Sequence, residues 1–283
     1  MLVKTIAEVK KGVDEWKKSG FKIGLVPTMG ALHEGHLSLI KKAAEVCDKV
    51  IVSVFVNPIQ FSPSEDFNEY PRTLAEDVKS AQSAGADLVF APSAEEMYGE
   101  NIRLSNDNLT YVAPPYTYTD KLCGKTRTGH FDGVCTVVLK LFNITRADCA
   151  FFGQKDAQQF VIIKKMVKDL NVPVELFECP IVRDKDGLAL SSRNKYLDDN
   201  GRKSALALNR ILNNIKSCYN KGIVDAEALK ETAFEFLDEN HELEYLEFVD
   251  RDTLETKQKA DNNTLVLIAC RVSSVRLIDN ILL

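Results

Sequence analysis

The sequence has no long apolar run, no closely spaced cysteines, little histidine and no excess of positive charge. Its longest stretch without a charged side chain runs from Val50 to Ser64 and is broken by Asn57, Pro58 and Pro63, which excludes a membrane-spanning helix there. The amino-terminal MLVKTIAEVK lacks the basic-then-apolar build of a secretory signal, so a cytoplasmic location is expected. The seven cysteines never fall closer than twelve residues apart and form no CxxC pair. Neither a zinc knuckle nor a disulfide framework is suggested, and all seven are read as structural thiols. With 36 Lys+Arg against 41 Asp+Glu, a net charge of −5, a nucleic-acid-binding surface is not expected, and no membrane or nucleic-acid partner is read. No GxGxxG follows any strand pattern, which weakens a dinucleotide-binding reading. Gly124-Lys125-Thr126 looks like the end of a P-loop, but Thr119 stands where its first glycine belongs and no apolar strand leads into it.

What is present is an ordinary globular composition, 45% apolar and 27% charged over 283 residues. That length suits about two domains. Thr5 to Ser19 reads as an amphipathic helix opened by a Thr5–Glu8 capping box and ended by Gly20. A short strand, Lys22 to Val26, leads through a glycine-containing turn to a helix from about His36 to Cys47. Val50 to Val56 is β-branched and apolar on both faces, the pattern of a buried parallel strand. A second capping box, Thr73 with Glu76, opens a helix closing near Gly85 before a strand at Asp87 to Phe90. Helix 133–144, strand Cys149 to Phe152, helix Asp156 to Leu170 and strand Val174 to Glu178 follow.

Strands spaced by helices imply βαβ crossovers and a doubly wound, Rossmann-like α/β sheet, with ligands at the carboxyl ends of its strands. After about Ile181 the order changes. Two helices (Asp199 to Lys221 and Asp225 to Glu239) precede strands near 243–249, 264–270 and 273–278, which suggests a smaller α+β domain. The expected division is therefore 1–181 and 182–283. The acidic stretch from Glu235 to Asp252 reads as a solvated face.

Three clusters carry chemistry. Pro27-Thr28-Met29-Gly30-Ala31-Leu32-His33-Glu34-Gly35-His36 follows the first apolar strand. Its glycines allow a tight turn, and His-x-Gly-His sets two imidazoles at a helix start, where backbone N–H groups and the dipole favour anions. A zinc-protease helix needs the histidines four apart with glutamate between; here they are three apart, beside Gly35. Phe151-Phe152-Gly153-Gln154-Lys155-Asp156 sits at a strand end, with Lys155 suited to phosphate and Asp156 to a helix cap, a nucleotide or a metal. Asp186 to Asn194, containing Ser191, Ser192 and Arg193, can close over phosphates. Gln60 and Gln159 are uncharged amides suited to orienting hydroxyl and carboxylate groups, or to satisfying backbone groups.

Taken together, PTMGALHEGH, FVNPIQF, YPRT, GADLVFAPS, RTGHFDGV, KLFN, FFGQKDAQQ, DGLALSSRN and RLIDN resemble the pantothenate synthetase family, within the HxGH nucleotidyltransferases. The resemblance runs from Pro27 to Asn280, with departures at Thr128, usually proline, and at Cys123, often glutamate. It implies a ligase that uses ATP and Mg²⁺ to join pantoate and β-alanine through a pantoyl adenylate, releasing AMP and pyrophosphate, and a homodimer. It implies that Met29, Gly30, Ala31, Leu32, His33, Glu34, Gly35 and His36 line ATP, with His33 and His36 at its phosphates. Gly153, Gln154, Lys155, Asp156, Val182, Leu190, Ser191, Ser192 and Arg193 match the other ATP positions. The residues it marks as catalytic are His36, His33, Lys155, Arg193, Ser191 and Ser192. Gln60 and Gln159 match the pantoate pair, Gln60 also serving β-alanine. The metal ligands are open, and Glu76 and Asp77, after YPRT, stand either as surface acids or as metal-holding groups. The alternatives are a nucleotidylyltransferase acting on a phosphate acceptor and a non-catalytic nucleotide-binding module; an aminoacyl-tRNA synthetase is disfavoured by the short, acidic chain.

Overall fold

A computed structural model describes residues 1–62, 65, 67–99 and 109–283. In chain order the elements are β1 (Leu2–Val3), α1 (Ile6–Lys18), β2 (Ile23–Thr28), α2 (Glu34–Val46), β3 (Lys49–Val54), α3 (Leu74–Ser83), β4 (Leu88–Phe90), α4 (Ala94–Tyr98), α5 (Tyr116–Thr119), α6 (Leu122–Thr126), α7 (His130–Thr145), β5 (Cys149–Gly153), α8 (Ala157–Asp169), β6 (Glu175–Cys179), α9 (Asp199–Asn220), α10 (Ala226–Glu231), β7 (His241–Asp250), β8 (Thr264–Val272) and β9 (Val275–Leu282). The chain divides into two compact units, one of Met1–Gly153 with Ile162–Cys179, the other of Gln154–Val161 with Pro180–Leu283.

The first unit holds a six-stranded sheet of order β1-β4-β3-β2-β5-β6, with every pairing parallel. From the β2–β5 pair the order steps outward to β3 and β4 on one side and to β6 on the other, with β1 at the edge beside β4; the β2–β5 pair is the topological switch point where open α/β sheets bind ligands at their strand ends. β2 and β3 pair in register from Ile23↔Lys49 to Thr28↔Val54, and Leu25, Val26, Ile51 and Val52 are fully covered, as a sheet packed on both faces requires. The Thr5–Glu8 capping box forms: Glu8 N–H donates to Thr5 Oγ1 (3.2 Å) and Thr5 N–H to Glu8 Oε2 (3.0 Å). The Thr73–Glu76 box does not form. Thr73 has φ −124° and ψ 45° and makes no side-chain cap bond; its hydroxyl donates instead to Asp77 Oδ1 at 3.3 Å.

The second unit contains the antiparallel sheet β7-β8-β9, packed by Phe248, Val266, Ile268 and Leu277 in one core with Leu208, Ile211, Leu212 and Ile215 of α9. The β8–β9 hairpin turns through Ser273 (φ 47°) and Ser274 (φ 74°). Two successive left-handed residues match the twist of the strands they join. The helix expected to reach Glu239 stops at Glu231. Glu231, Glu235, Asp238 and Glu239 would have crowded its carboxyl end, where the helix dipole disfavours negative charge. The acidic stretch is not uniformly solvated either: Glu244, its side chain only 11% exposed, bonds Arg276 Nε at 2.9 Å and faces Arg271 Nε at 3.3 Å.

Gly124-Lys125-Thr126 lies in α6. A Cβ on Gly124 would meet the Thr119 carbonyl oxygen at 2.1 Å, so this glycine serves close backbone packing. All seven cysteines are unbridged thiols, five of them buried, and burial pushes those of Cys47 and Cys135 up to about 12. No described helix is long and apolar enough to cross a membrane.

Candidate active site

β2 runs into the loop at residues 29–33. The Thr28 hydroxyl donates to the Ser53 carbonyl (2.6 Å) and accepts from Gly30 N–H (3.2 Å). Gly30 (φ 85°) and Ala31 (φ 50°) are both left-handed, and a Cβ on Gly30 would stand 3.0 Å from Asp77 Oδ2 and from Val54 Cγ1. Conformation and space therefore both favour glycine there. The chain then reaches His33, extended at φ −134° and ψ 174°, which caps α2.

The two histidines complete this cap with imidazoles. Gly35 N–H donates to His33 Nδ1 at 3.1 Å, and His33 N–H donates to His36 Nδ1 at 3.3 Å. The ring centroids are 4.1 Å apart. A nitrogen that accepts carries no proton, so both rings hold theirs on Nε2. The backbone thereby sets each imidazole as an Nε2–H donor, the form that can bond a phosphate oxygen. A zinc site would ask the same rings to offer an acceptor nitrogen, and the described residues contain no group of three or more His, Cys, Asp or Glu arranged to hold a metal ion.

Gln60 ends a 3-10 turn, Pro58–Gln60, after β3, and is 7% exposed. Its amide orientation follows from a chain of bonds anchored on a backbone carbonyl. Asn57 Nδ2 donates to Gly133 O (3.1 Å), which fixes Asn57; the same nitrogen donates to Gln60 Oε1 (3.0 Å). The Tyr98 hydroxyl donates to Asn57 Oδ1 at 2.7 Å, and burial holds the Tyr98 phenol above its ordinary pKa, preserving the donor. Gln60 therefore presents its NH₂, which also contacts Met29 Sδ at 3.1 Å. His130 Nδ1 bonds the Gln60 carbonyl (2.8 Å), leaving Nε2 to accept from Arg127 Nη1 (2.8 Å). A Cβ on Gly133 would lie 2.5 Å from Ile59 O and 2.7 Å from Gln60 N, so the start of α7 fits this turn only with glycine. Thr128, one of the two departures, precedes Gly129, the left-handed N-cap of α7; Cys123 is buried in α6.

In the second unit, Gln154–Asp156 form a 3-10 turn leading into α8, which carries Gln159. Asn280 of β9, 1% exposed, donates through Nδ2 to the carbonyls of Gln154 (2.9 Å) and Lys155 (3.0 Å) and accepts from Gln154 Nε2 at 3.2 Å. Lys155 Nζ stands 3.6 Å from Asp156 Oδ1. Val182 and Leu190 sit across a small hairpin, Leu190 N–H donating to Val182 O at 3.0 Å. Arg183 fastens that hairpin to buried Asp279 with bonds of 2.6 and 2.9 Å, while Arg202 of α9 grips Asp184 (2.6 Å) and Asp186 (3.0 Å). Ser191 Oγ accepts from Arg193 N–H at 3.3 Å and opens the 3-10 turn Ser192–Tyr196, in which Ser192 is buried.

The first unit thus contains Met29 to His36, Gln60 and Gly153, and the second contains Gln154 to Asp156, Gln159, Val182 and Leu190 to Arg193. Sequence reasoning missed the residues behind them: Asn57, Tyr98, Arg183, Arg202, Asp279 and Asn280. Asn57 lies in FVNPIQF, and Asp279 and Asn280 lie in RLIDN, so the motif blocks already contained part of the signal. Of the two acids left open, Glu76 is exposed and Asp77 is 3% exposed. Ala31 N–H donates to Asp77 Oδ2 at 3.0 Å and Leu32 N–H to Asp77 Oδ1 at 2.8 Å.

A parallel sheet with this switch point and a His-x-Gly-His helix start directly after β2 defines the Rossmann-like nucleotidyltransferase fold of the HxGH type. A family model described as pantoate-beta-alanine ligase matches residues 1–282. A protein from Clostridium novyi named pantothenate synthetase is 53% identical over 277 residues, covering 97% of this chain and 95% of its own length. The crystal structure of pantothenate synthetase from Thermus thermophilus is similar at TM-score 0.91 and 40% identity, over 99% of this chain and 98% of that one. That of the Francisella tularensis pantoate-beta-alanine ligase, described as complexed with beta-gamma ATP and beta-alanine, is similar at TM-score 0.81 and 36% identity, over 100% and 97%. The chain belongs to the pantoate–β-alanine ligase family.

Proposed function

We propose that this chain condenses pantoate with β-alanine, driven by ATP cleavage, in two steps. A pantoate carboxylate oxygen attacks the α-phosphorus of ATP, forming the P–O bond of pantoyl adenylate and expelling pyrophosphate. The β-alanine amine then attacks the acyl carbon, the C–O bond to AMP breaks, and the amine proton leaves to solvent. The observation that carries this reading is the pairing, within one unit, of two imidazoles fixed as Nε2–H donors with a glutamine amide fixed as a donor. The imidazoles suit the charge that develops on phosphate oxygens, and the amide suits a hydroxy acid. An ionised carboxylate needs no general base to attack, so stabilising phosphate charge is the larger task for His33 and His36.

Lys155 and Arg193 supply cationic partners to the phosphates, Ser191 and Ser192 supply hydroxyls, and Met29 to Gly35, Gly153, Gln154, Asp156, Val182 and Leu190 complete the nucleotide contacts. Gln60 and Gln159 orient pantoate. In this proposal residues 1–181 bind ATP and pantoate, and 182–283 bring the serine–arginine loop. Mg²⁺ enters as part of the nucleotide, held chiefly by substrate phosphates and water, the usual mode for this ion. Alignment of bound reactants can lower the barrier by about 7–11 kcal/mol without a covalent enzyme intermediate. A homodimer in the cytoplasm completes the reading.

Pantoate-dependent exchange of labelled pyrophosphate into ATP, with β-alanine omitted, is the expected result. Pantoate carrying ¹⁸O in its carboxylate should deliver one labelled oxygen to AMP once β-alanine is added. Folded protein that shows no exchange refutes the two-step reading; a nucleotidylyltransferase would ignore β-alanine, and a binding module would release no pyrophosphate.

A further inference from the structure

We propose that Asp77 is the positioning residue of the histidine loop: it sets the protonation pattern and placement of His33 and His36 without touching the substrate. The inference rests on the adenylation reading above and adds a residue to it.

Four observations carry it. Asp77 is buried to 3% exposure, yet what its carboxylate grips is backbone. Both oxygens accept N–H groups from adjacent loop residues, Ala31 at 3.0 Å and Leu32 at 2.8 Å. Thr73, which the sequence marks as a cap for its own helix, turns its hydroxyl to the same carboxylate at 3.3 Å. Finally, the loop it grips holds two successive left-handed residues, Gly30 and Ala31. A non-glycine residue keeps that conformation only where its surroundings over-determine it. Charge-assisted bonds from a carboxylate to backbone N–H groups are among the stronger polar contacts a protein makes. Here they fix the chain at the two residues immediately before His33.

The connection to chemistry is short. Leu32 is followed by His33, whose own N–H donates to His36 Nδ1. A rotation at Leu32 moves that N–H, and with it the bond that keeps the His36 proton on Nε2. An anion placed behind a phosphate-binding loop works against the attraction of a triphosphate. Asp77 therefore acts through geometry and not through affinity, and its removal should separate binding from chemistry.

The test compares Asp77→Asn and Asp77→Ala with the wild-type chain. Asparagine keeps one acceptor oxygen but faces the other N–H with a donor. We expect pyrophosphate exchange to fall by about 100-fold while the dissociation constant for ATP changes by less than about threefold, because an ångström-scale misplacement costs rate more than ground-state contact. Nitrogen-15 spectra of the histidine rings should show His33 and His36 as Nε2–H forms in the wild type and a mixture of tautomers in the variants. Exchange retained within about twofold overturns the proposal, as does a loss of exchange with the ring pattern unchanged. Recovery of the variants at high Mg²⁺ would make Asp77 a metal ligand and overturn it too. If neither variant folds, amide hydrogen exchange in the ligand-free wild type decides: slow exchange at Ala31 and Leu32 supports the clamp, and exchange at the unfolded-chain rate refutes it. Absence of pyrophosphate exchange in the wild type would refute the adenylation reading instead, while the ring spectra would still report on Asp77.

Discussion

Two loops, one in each unit, are each held by a single buried side chain distant in sequence, and the two holders have opposite hydrogen-bonding character. In the first unit Asp77, 46 residues from Ala31, accepts two loop N–H groups. In the second, Asn280, 126 residues from Gln154, donates to two turn carbonyls. Because N–H and C=O point in opposite directions across a trans peptide, the two grips expose different backbone groups. Asp77 draws the N–H groups of Ala31 and Leu32 to itself, so the carbonyls of Gly30 and Ala31 face the other way. Asn280 draws in the carbonyls of Gln154 and Lys155, so the N–H groups of Lys155 and Asp156 face away from it. A carbonyl-out segment suits hydroxyl and amino donors; an N–H-out turn beside a lysine suits phosphate. In the proposed reaction the phosphate donors of the first loop therefore come from further on, from the imidazoles that cap α2.

That difference predicts unequal losses. The largest is at His36, whose Nε2–H is one of the two side-chain donors that the cap prepares. His36→Ala should lower pyrophosphate exchange by about 10²–10³-fold, the cost of losing one preorganised donor to a developing charge, with the cooperative unfolding transition retained. An exchange rate within a few-fold of wild type would mean that backbone donors do the work in both loops and that the contrast drawn above is wrong.

Asn280→Ala should come next. It touches no substrate, but it strips the donor from two carbonyls beneath Lys155. We expect the KM for ATP to rise by about tenfold or more, since Lys155 loses its fixed base, and stability to fall by about 1–3 kcal/mol from buried groups left unpaired. Denaturant unfolding and steady-state kinetics on the same preparation separate the two effects. A loss of stability with an unchanged KM would make Asn280 a fold residue only.

The two holders also mark what a sequence can carry. Parallel strands were legible because β2 and β3 are apolar on both faces, and α1 was legible because its capping box is local. The His-x-Gly-His, Gly-Gln-Lys-Asp and Ser-Ser-Arg blocks stand out in the sequence for the same reason: the residues of each are close neighbours along the chain. Asp77 and Asn280 act through backbone atoms of residues far along the chain, and a backbone acceptor or donor leaves no side-chain signature at its own position. The Thr73–Glu76 pattern even misled, since the hydroxyl that matched a cap is used by Asp77. The early end of α10 required weighing four acids against the helix dipole, and Ser273–Ser274 gave no glycine to announce a left-handed turn.

The smallest expected effect sharpens the contrast by pH. Asn280 has no titratable group, so its grip on the lysine turn is indifferent to acid. The neighbouring hairpin that carries Val182 and Leu190 is held partly by charge. The backbone N–H of Lys185, and then Arg202, keep the Asp184 carboxyl below its ordinary pKa. A carboxylate whose folded pKa is depressed contributes its full share above the unfolded value, about 3.9, and loses it as pH falls through the folded one. From neutral pH down to about 5 this pair should therefore not alter the hairpin at all. Carbon-13 titration of the Asp184 carboxyl should show a midpoint below the ordinary carboxylate value, and Arg202→Gln should raise it. The midpoint should still remain below the ordinary value, because the Lys185 N–H stays in place. Both groups are partly exposed to solvent, so thermal stability at neutral pH should barely move on losing the pair. A midpoint unmoved by Arg202→Gln would assign the depressed Asp184 carboxyl to Lys185 alone.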